Sequence, residues 1–176
     1  NDAVFAGGGG DIVFGGSGDD YVHTGAGEDT VVAGDGHDFI DASQDSLGDY
    51  IDAGDGSDEV HAGGGDDVVI GGRGDDFIYS FGAGSDILTG GEGRDRLSGM
   101  GGGDMLDGGP GDDLLSVGYS LQNPVNRFRW GRGYGADTAF IGGGALVVEI
   151  AGDVSPSEAA VGRAHRDFEL RIWSRG

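Results

Sequence analysis

The sequence predicts an all-β fold, a parallel β-solenoid of about six coils with a C-terminal β-rich cap. Three observations predict it. Gly supplies 42 of 176 residues, far above the average near 7%. A nonapeptide recurs through residues 1–116, as in Gly71-Gly72-Arg73-Gly74-Asp75-Asp76-Phe77-Ile78-Tyr79, Gly15–His23 and Gly108–Ser116. An aliphatic residue falls two places after the Asp at position 6 in every copy. A fixed short period of this kind is the signature of a stacked repeat.

The units follow in order. Position 6 is Asp2, Asp11, Asp20, Asp29, Asp38, Asp49, Asp58, Asp67, Asp76, Asp86, Asp95, Asp104 and Asp113. The step is nine residues except from Asp38 to Asp49 and from Asp76 to Asp86. Position 8 is Val4, Val13, Val22, Val31, Ile40, Ile51, Val60, Val69, Ile78, Leu88, Leu97, Leu106 and Leu115. Positions 1–6 are Gly-rich, which suits a tight turn with positive φ. Positions 7–9 read as a three-residue strand with one side chain inward and two outward. One such strand cannot bury its apolar side chain alone, whereas stacked strands can. If strands alternate between two sheets, two units make one coil. Thirteen units then give a stack roughly 30 Å long at about 4.8 Å per coil.

Two interruptions and a tail complete the chain. Ala42–Gly48 precedes Asp49, lacks the position-2 and position-4 glycines, and reads as a bulged turn. Ser80 reads as a one-residue insertion before Phe81-Gly82-Ala83-Gly84-Ser85-Asp86. After Ser116 the pattern fails, so the boundary is placed there: 1–116 is the repeat region and 117–176 a capping segment. In the tail, Gly133-Tyr134-Gly135-Ala136-Asp137-Thr138 is a last degenerate unit. Ala145–Ile150 and Phe168–Ile172 read as strands. Ser155–Ala160 reads as the start of one helical turn.

Charge narrows the partners. Residues 1–116 hold 26 acidic residues against three arginines, a net of −23, while the tail is nearly neutral. A nucleic-acid partner is excluded for the repeat region, and self-repulsion demands a cation. There is no Cys, so a secreted small domain would need another staple, and metal is the usual one. No apolar run of about 18 residues is present, so no membrane-spanning helix is expected. The chain opens at Asn1-Asp2 inside a repeat, and the reading expects it to be part of a longer protein.

Stacking brings the position-6 carboxylates of adjacent coils together: Asp20 on Asp38, Asp58 on Asp76, Asp95 on Asp113, and on the other edge Asp11 on Asp29, Asp49 on Asp67, Asp86 on Asp104. Like charges about 5 Å apart are unfavourable unless a cation bridges them. Carboxylates with Gly-turn carbonyls form an all-oxygen site, which suits Ca²⁺ over Mg²⁺ and over Zn²⁺, which prefers N and S ligands. A repeated pair also argues against an enzyme, since a catalytic pair occurs once. No His-Glu-x-x-His or Gly-x-Ser-x-Gly motif is present.

The nonapeptide resembles the RTX, or haemolysin-type, calcium-binding repeat, Gly-Gly-x-Gly-x-Asp-x-U-x with U a large apolar residue. The likeness covers about residues 2–116. It implies a parallel β-roll with Ca²⁺ between successive turns. By motif position it assigns carboxylate ligands to the thirteen aspartates named above. It assigns carbonyl ligands to Gly16, Gly18, Gly25, Gly27, Gly34, Gly36, Gly54, Gly56, Gly63, Gly65, Gly72, Gly74, Gly82, Gly84, Gly91, Gly93, Gly102, Gly109 and Gly111. Ala replaces the first Gly at Ala6, Ala33, Ala53 and Ala62, which a carbonyl ligand tolerates. Ser43, Leu47 and Met100 depart at glycine positions. The likeness further implies a bacterial extracellular protein, exported by the type I secretion machinery and folding when calcium is met outside the cell.

The outward positions suggest more. One face carries Phe5, Tyr21, His23, Phe39, Asp41, His61, Phe77 and Tyr79; the other carries Ile12, Phe14, Val32, Tyr50, Val68, Ile70, Ile87 and Met105. The second row is an apolar ribbon that could dock a partner domain, the cap or a second copy, or simply pack along its own ladder. The aromatic row supports an alternative function, an adhesive or ligand-binding module of a bacterial surface adhesin. His23, Asp41 and His61 should stack on successive coils, as a polar ladder or a transition-metal site.

Overall fold

The computed structural model describes residues 1–118, 125–130, 135–142, 145–150, 159–163 and 168–173. Its strands are β1 (Ala3–Gly8), β2 (Ile12–Ser17), β3 (Tyr21–Ala26), β4 (Thr30–Asp35), β5 (Phe39–Asp41), β6 (Tyr50–Asp55), β7 (Glu59–Gly63), β8 (Val68–Arg73) and β9 (Phe77–Ser80). They continue as β10 (Ile87–Glu92), β11 (Arg96–Gly99), β12 (Met105–Asp107), β13 (Leu114–Val117), β14 (Val125–Trp130), β15 (Ala136–Ile141), β16 (Ala145–Ile150), β17 (Ala159–Arg163) and β18 (Phe168–Trp173). Odd strands from β1 to β15 form one parallel sheet, and even strands from β2 to β16 form the other. The chain alternates between sheets at every unit, so two units make one coil, as the spacing predicts.

β5 and β12 keep the three residues the motif suggests, and the other strands are longer. In β6, Tyr50–Asp55 runs through positions 7–9 and on through positions 1–3 of the next unit. Gly34, Gly54 and Gly72 pair in register across three coils. The reason is close approach. Gly72 has φ of +116°, and a Cβ there would lie on the carbonyl oxygen of Gly54. Without side chains, the turn backbones stack nearly as tightly as the strands.

Between the sheets lies a narrow core. Val22, Val31, Ile40, Ile51, Val60, Val69, Ile78, Leu88, Leu97, Leu106 and Leu115 are buried, with the position-1 residues Ala33, Ala53 and Ala62 beside them. Each aliphatic side chain contributes about 1.5–3 kcal/mol on burial. Period-2 alternation leaves the flanking residues outside.

The parallel stack continues past Ser116. Phe128 of β14 lies in register with Leu106, and Ala139 of β15 with Leu115, and both are buried. β16 pairs in parallel with β14. Pairing then turns antiparallel: β18 lies along β15, and β17 along β18. The strands expected at Ala145–Ile150 and Phe168–Ile172 are present. The helical turn expected over Ser155–Ala160 is corrected at its end, because Ala159 and Ala160 belong to β17 and pair with Ile172 and Arg171. Ladder hydrogen bonds to β18 win over the local propensity of an Ala pair. Residues 155–158 and Gly133-Tyr134 lie outside the described residues. Among the described residues no helix is long and apolar enough to cross a membrane.

Candidate metal centres

The Gly-rich turns set the position-6 aspartates in two columns, one along each edge of the stack. Each carboxylate reaches back one coil. Its Oδ1 accepts a hydrogen bond from the backbone N–H of the aspartate below: Asp20 N–H to Asp38 at 2.8 Å, Asp58 N–H to Asp76 at 2.9 Å, and Asp95 N–H to Asp113 at 2.9 Å. The other edge repeats this, with Asp11 N–H to Asp29, Asp49 N–H to Asp67 and Asp86 N–H to Asp104. The backbone carbonyl of the same aspartate is taken by the strand above, as in Tyr21 N–H to Asp2 O and Phe77 N–H to Asp58 O.

The second carboxylate oxygen has no such partner. Oδ2 of Asp11, Asp20, Asp29, Asp38, Asp58, Asp67, Asp76, Asp95, Asp104 and Asp113 is buried without a hydrogen-bond partner. An ionised oxygen buried this way is costly unless a cation or a proton meets it. These oxygens share one direction. A Cβ placed on Gly15 would meet Asp20 Oδ2 at 2.7 Å and the carbonyl oxygen of Ala33, one coil on, at 2.5 Å. On Gly71 it would meet Asp76 Oδ2 and Gly90 O, and on Gly90 it would meet Asp95 Oδ2 and Gly108 O. The missing side chain at position 1 therefore leaves a cradle. A carboxylate oxygen of one coil and a backbone carbonyl of the next line it.

The glycines singled out by the motif, at positions 2 and 4, also point carbonyls into the space between coils. Gly54 O faces the Cα of Gly72, and Gly56 O that of Gly74; Gly91 O faces Gly109, and Gly93 O faces Gly111. The cradle is also lined by position-1 carbonyls, those of Ala33, Gly90 and Gly108, and Ala serves there as well as Gly. Among the described residues no three His, Asp or Glu side chains converge, so a cation here must draw on backbone oxygen.

Burial pushes these carboxyls up. The desolvated side chains of Asp49, Asp58, Asp95 and Asp104 titrate at about 6. Those of Asp67, Asp76 and Asp113 titrate at about 7. Burial raises Asp38 and Asp86 as well. The backbone N–H bonds pull the other way, and the neighbouring aspartates of the column add to the rise. Without a positive partner, Asp67, Asp76 and Asp113 are part-protonated at neutral pH. Hard oxygen, negative charge and several carbonyls fit a divalent cation of the Ca²⁺ kind.

Both interruptions are absorbed without breaking the columns. Asp29 N–H reaches Asp49 Oδ1 at 2.8 Å and Asp38 N–H reaches Asp58 Oδ1 at 2.7 Å, across the longer step. In the bulged turn, Asp45 Oδ2 accepts from Gly27 N–H at 2.5 Å. Regular turns use a backbone carbonyl there, as Gly18 N–H to Asp35 O. Two column members lie beyond the recognisable repeats. Asp104 N–H donates to Asn126 Oδ1 at 2.9 Å, and Asp113 N–H to Asp137 Oδ1 at 3.1 Å. Asp137 is buried, and burial pushes its carboxyl up to about 8. Gly135-Ala136-Asp137 was the only sequence signal for it; nothing marked Asn126.

The outward rows are also placed. His23, Asp41 and His61 stack in register on successive coils. His23 Nδ1 lies 3.4 Å from Asp41, whereas His61 turns its Nε2 to Glu59 at 2.9 Å, so the three make a polar ladder rather than a metal site. On the other face Asp52 sits in register between Val32 and Ile70, which interrupts the apolar ribbon.

A solenoid with acidic oxygen cradles repeated along both edges is a repeat protein built around hard cations. The family model for the RTX calcium-binding nonapeptide repeat matches residues 5–40, 43–78 and 82–115. The chain belongs to that family, and its repeats are calcium-binding repeats. The gaps between matched blocks fall at the two interruptions. No curated protein matches the chain.

Proposed function

We propose that residues 1–116 and the strands that follow form a module whose folding is driven by calcium, in a bacterial protein that is secreted and folds outside the cell. The buried, partnerless Oδ2 oxygens carry this reading. They make the stacked state unfavourable for bare carboxylates and favourable once a cation is shared between coils. The ligands in each gap are the position-6 aspartate of one coil, its counterpart in the next, and the turn carbonyls between them. Asp137 joins this set. A ligand that binds only the folded state stabilises it by mass action, and many weak sites add. Sites with the millimolar-range affinity of extracellular modules stay empty at cytosolic calcium, which would keep the chain threadable for type I export. The module acts as a structural staple with no catalytic step. The antiparallel pair β17–β18 closes one edge and serves as the cap.

The adhesive alternative rests on the aromatic row. Tyr21 and Phe39 stack face to face, 5.3 Å apart and 4° from parallel, and Tyr79 and Phe81 do the same at 5.8 Å. Phe39 and His61 meet edge to face. Rings in the middle of the row thus turn faces to one another and Arg96 covers Phe77, while Phe5 at its end stays exposed. A sugar needs an open ring face, so this geometry favours a ladder that stiffens the sheet. A calcium titration followed by far-UV circular dichroism tests the main reading. Strand signal should appear only above cytosolic calcium; a signal already complete in chelator would overturn it.

A further inference from the structure

One cradle differs from the others. Ser80 lies in register with Gly99, a position-1 residue, so its side chain enters the space that glycine leaves open elsewhere. Ser80 is buried, and its hydroxyl donates to Oδ2 of Asp86. This is the oxygen left without a partner in Asp67, Asp76, Asp95 and Asp104 on either side. The residue after the insertion, Phe81, is turned outward, where it stacks on Tyr79 and meets His61 edge to face. The extra residue therefore does two things at once. It sends the bulky Phe81 to the surface and delivers a hydroxyl proton to a carboxylate that would otherwise call for a cation. The Asp104 carboxylate above is still in place, accepting from Asp86 N–H at 3.2 Å. In this gap Asp86 Oδ2 is already satisfied, and the Asp86 and Asp104 carboxyls lie close enough to interact directly.

We propose that Ser80 makes the gap between Asp86 and Asp104 a calcium-free step in an otherwise calcium-bridged column. The proposal rests on the calcium reading above and refines it, separating the ions of that edge into a group before Asp86 and a group after it. Hydroxyl and cation compete for the same oxygen. A neutral O–H donor adds no charge, so in the folded stack it satisfies this oxygen without an ion. The comparison with Ala is decisive within the chain itself. Ala33 and Ala53 occupy position 1 ahead of Asp38 and Asp58, and there Oδ2 stays without a partner. What distinguishes Ser80 is that its hydroxyl reaches the carboxylate. Thr24, at position 1 ahead of Asp29, also carries a buried hydroxyl, but there both the hydroxyl and Asp29 Oδ2 stay without a partner.

Native mass spectrometry of the full chain in saturating calcium tests this. Ser80→Ala recreates the Ala33 arrangement and should bind one more calcium ion than the wild type. An equal or lower count would overturn the proposal, including the case in which the serine hydroxyl is itself a ligand. Should Ser80→Ala fail to fold, Ser80→Gly decides: it restores the glycine found at position 1 in Gly71 and Gly90 and should bind one ion more, and an unchanged count would overturn the proposal. A wild type that binds no calcium at all would instead remove the reading on which the proposal rests, so the two failures are told apart.

Discussion

Substituting Asp76→Asn should reverse its effect on stability according to whether calcium is present. Asp76 serves two gaps. Its Oδ1 takes Asp58 N–H at 2.9 Å, and its Oδ2 faces the cradle under Gly71, close to Gly90 O. Asn keeps an acceptor for Asp58 N–H, so the backbone bond survives, but the charge is gone. With calcium near one hundred times its dissociation constant, each occupied site stabilises by about 2.7 kcal/mol. Weakening the two sites shared with Asp58 and Asp95 therefore costs up to about 5 kcal/mol. In chelator the sign changes. The Asp76 carboxyl is pushed up to about 7 by burial, against an ordinary value near 3.8. Full linkage of that shift would be about 4 kcal/mol above pH 7, and at about pH 5, where the folded carboxyl is already protonated, on the order of 1.5 kcal/mol of it is felt. Removing the carboxylate relieves that cost. In calcium the loss wins; without it the relief stands alone. Urea unfolding followed by circular dichroism, in calcium and in chelator at mildly acidic pH, reads both arms. Equal destabilisation in both conditions would refute the assignment of Asp76 as a cation ligand.

Acidity should act oppositely on the two forms. In chelator the position-6 carboxyls have folded values of about 6 for Asp58 and about 7 for Asp67 and Asp113, all above the ordinary value. Stability from such groups is fully present below about pH 4 and is lost as pH rises through about 6 to 7. Strand signal in chelator should therefore grow as pH falls from about 8 to about 5, whereas calcium affinity should fall over the same range as protons compete; a chelated signal independent of pH would contradict this. Gly72→Ala places a Cβ on Gly54 O at φ of +116°, and should lower the melting temperature in calcium by an amount reflecting at least 1–3 kcal/mol, roughly the cost of such strain. Arg73→Ala next to it removes exposed ion pairs with Asp55 and Glu92, which are worth little in water, and should leave the melting temperature nearly unchanged.

The repeat carried most of the architecture. Asp at position 6 and Val, Ile or Leu at position 8 recur because each coil must solve the same two problems, an inward peg and an edge carboxylate. That regularity made strand alternation, coil composition and carboxylate pairing legible from spacing alone. What spacing could not convey is how each carboxylate divides its two oxygens. Oδ1 goes to the backbone of the coil below and Oδ2 to the cradle, a split that depends on turn geometry rather than residue type. Asp137 kept its place in the degenerate unit Gly133–Thr138, but Asn126 was hidden because backbone register, spanning 22 residues, outlasts the Gly-rich pattern. There Phe128 replaces the aliphatic peg and an amide replaces one carboxylate, so no motif remained to read. Ser80 looked like a spacing error; only the register with Gly99 shows it occupying a cradle.

The central claim is that the stack closes because cations bridge its buried carboxylates. Circular dichroism and native mass spectrometry on one sample, first in chelator at about pH 8 and then through a calcium titration, test it most directly. The expected result is an unfolded, ion-free chain that gains strand signal in step with the binding of several calcium ions. A chain already folded and ion-free in chelator at that pH would contradict it.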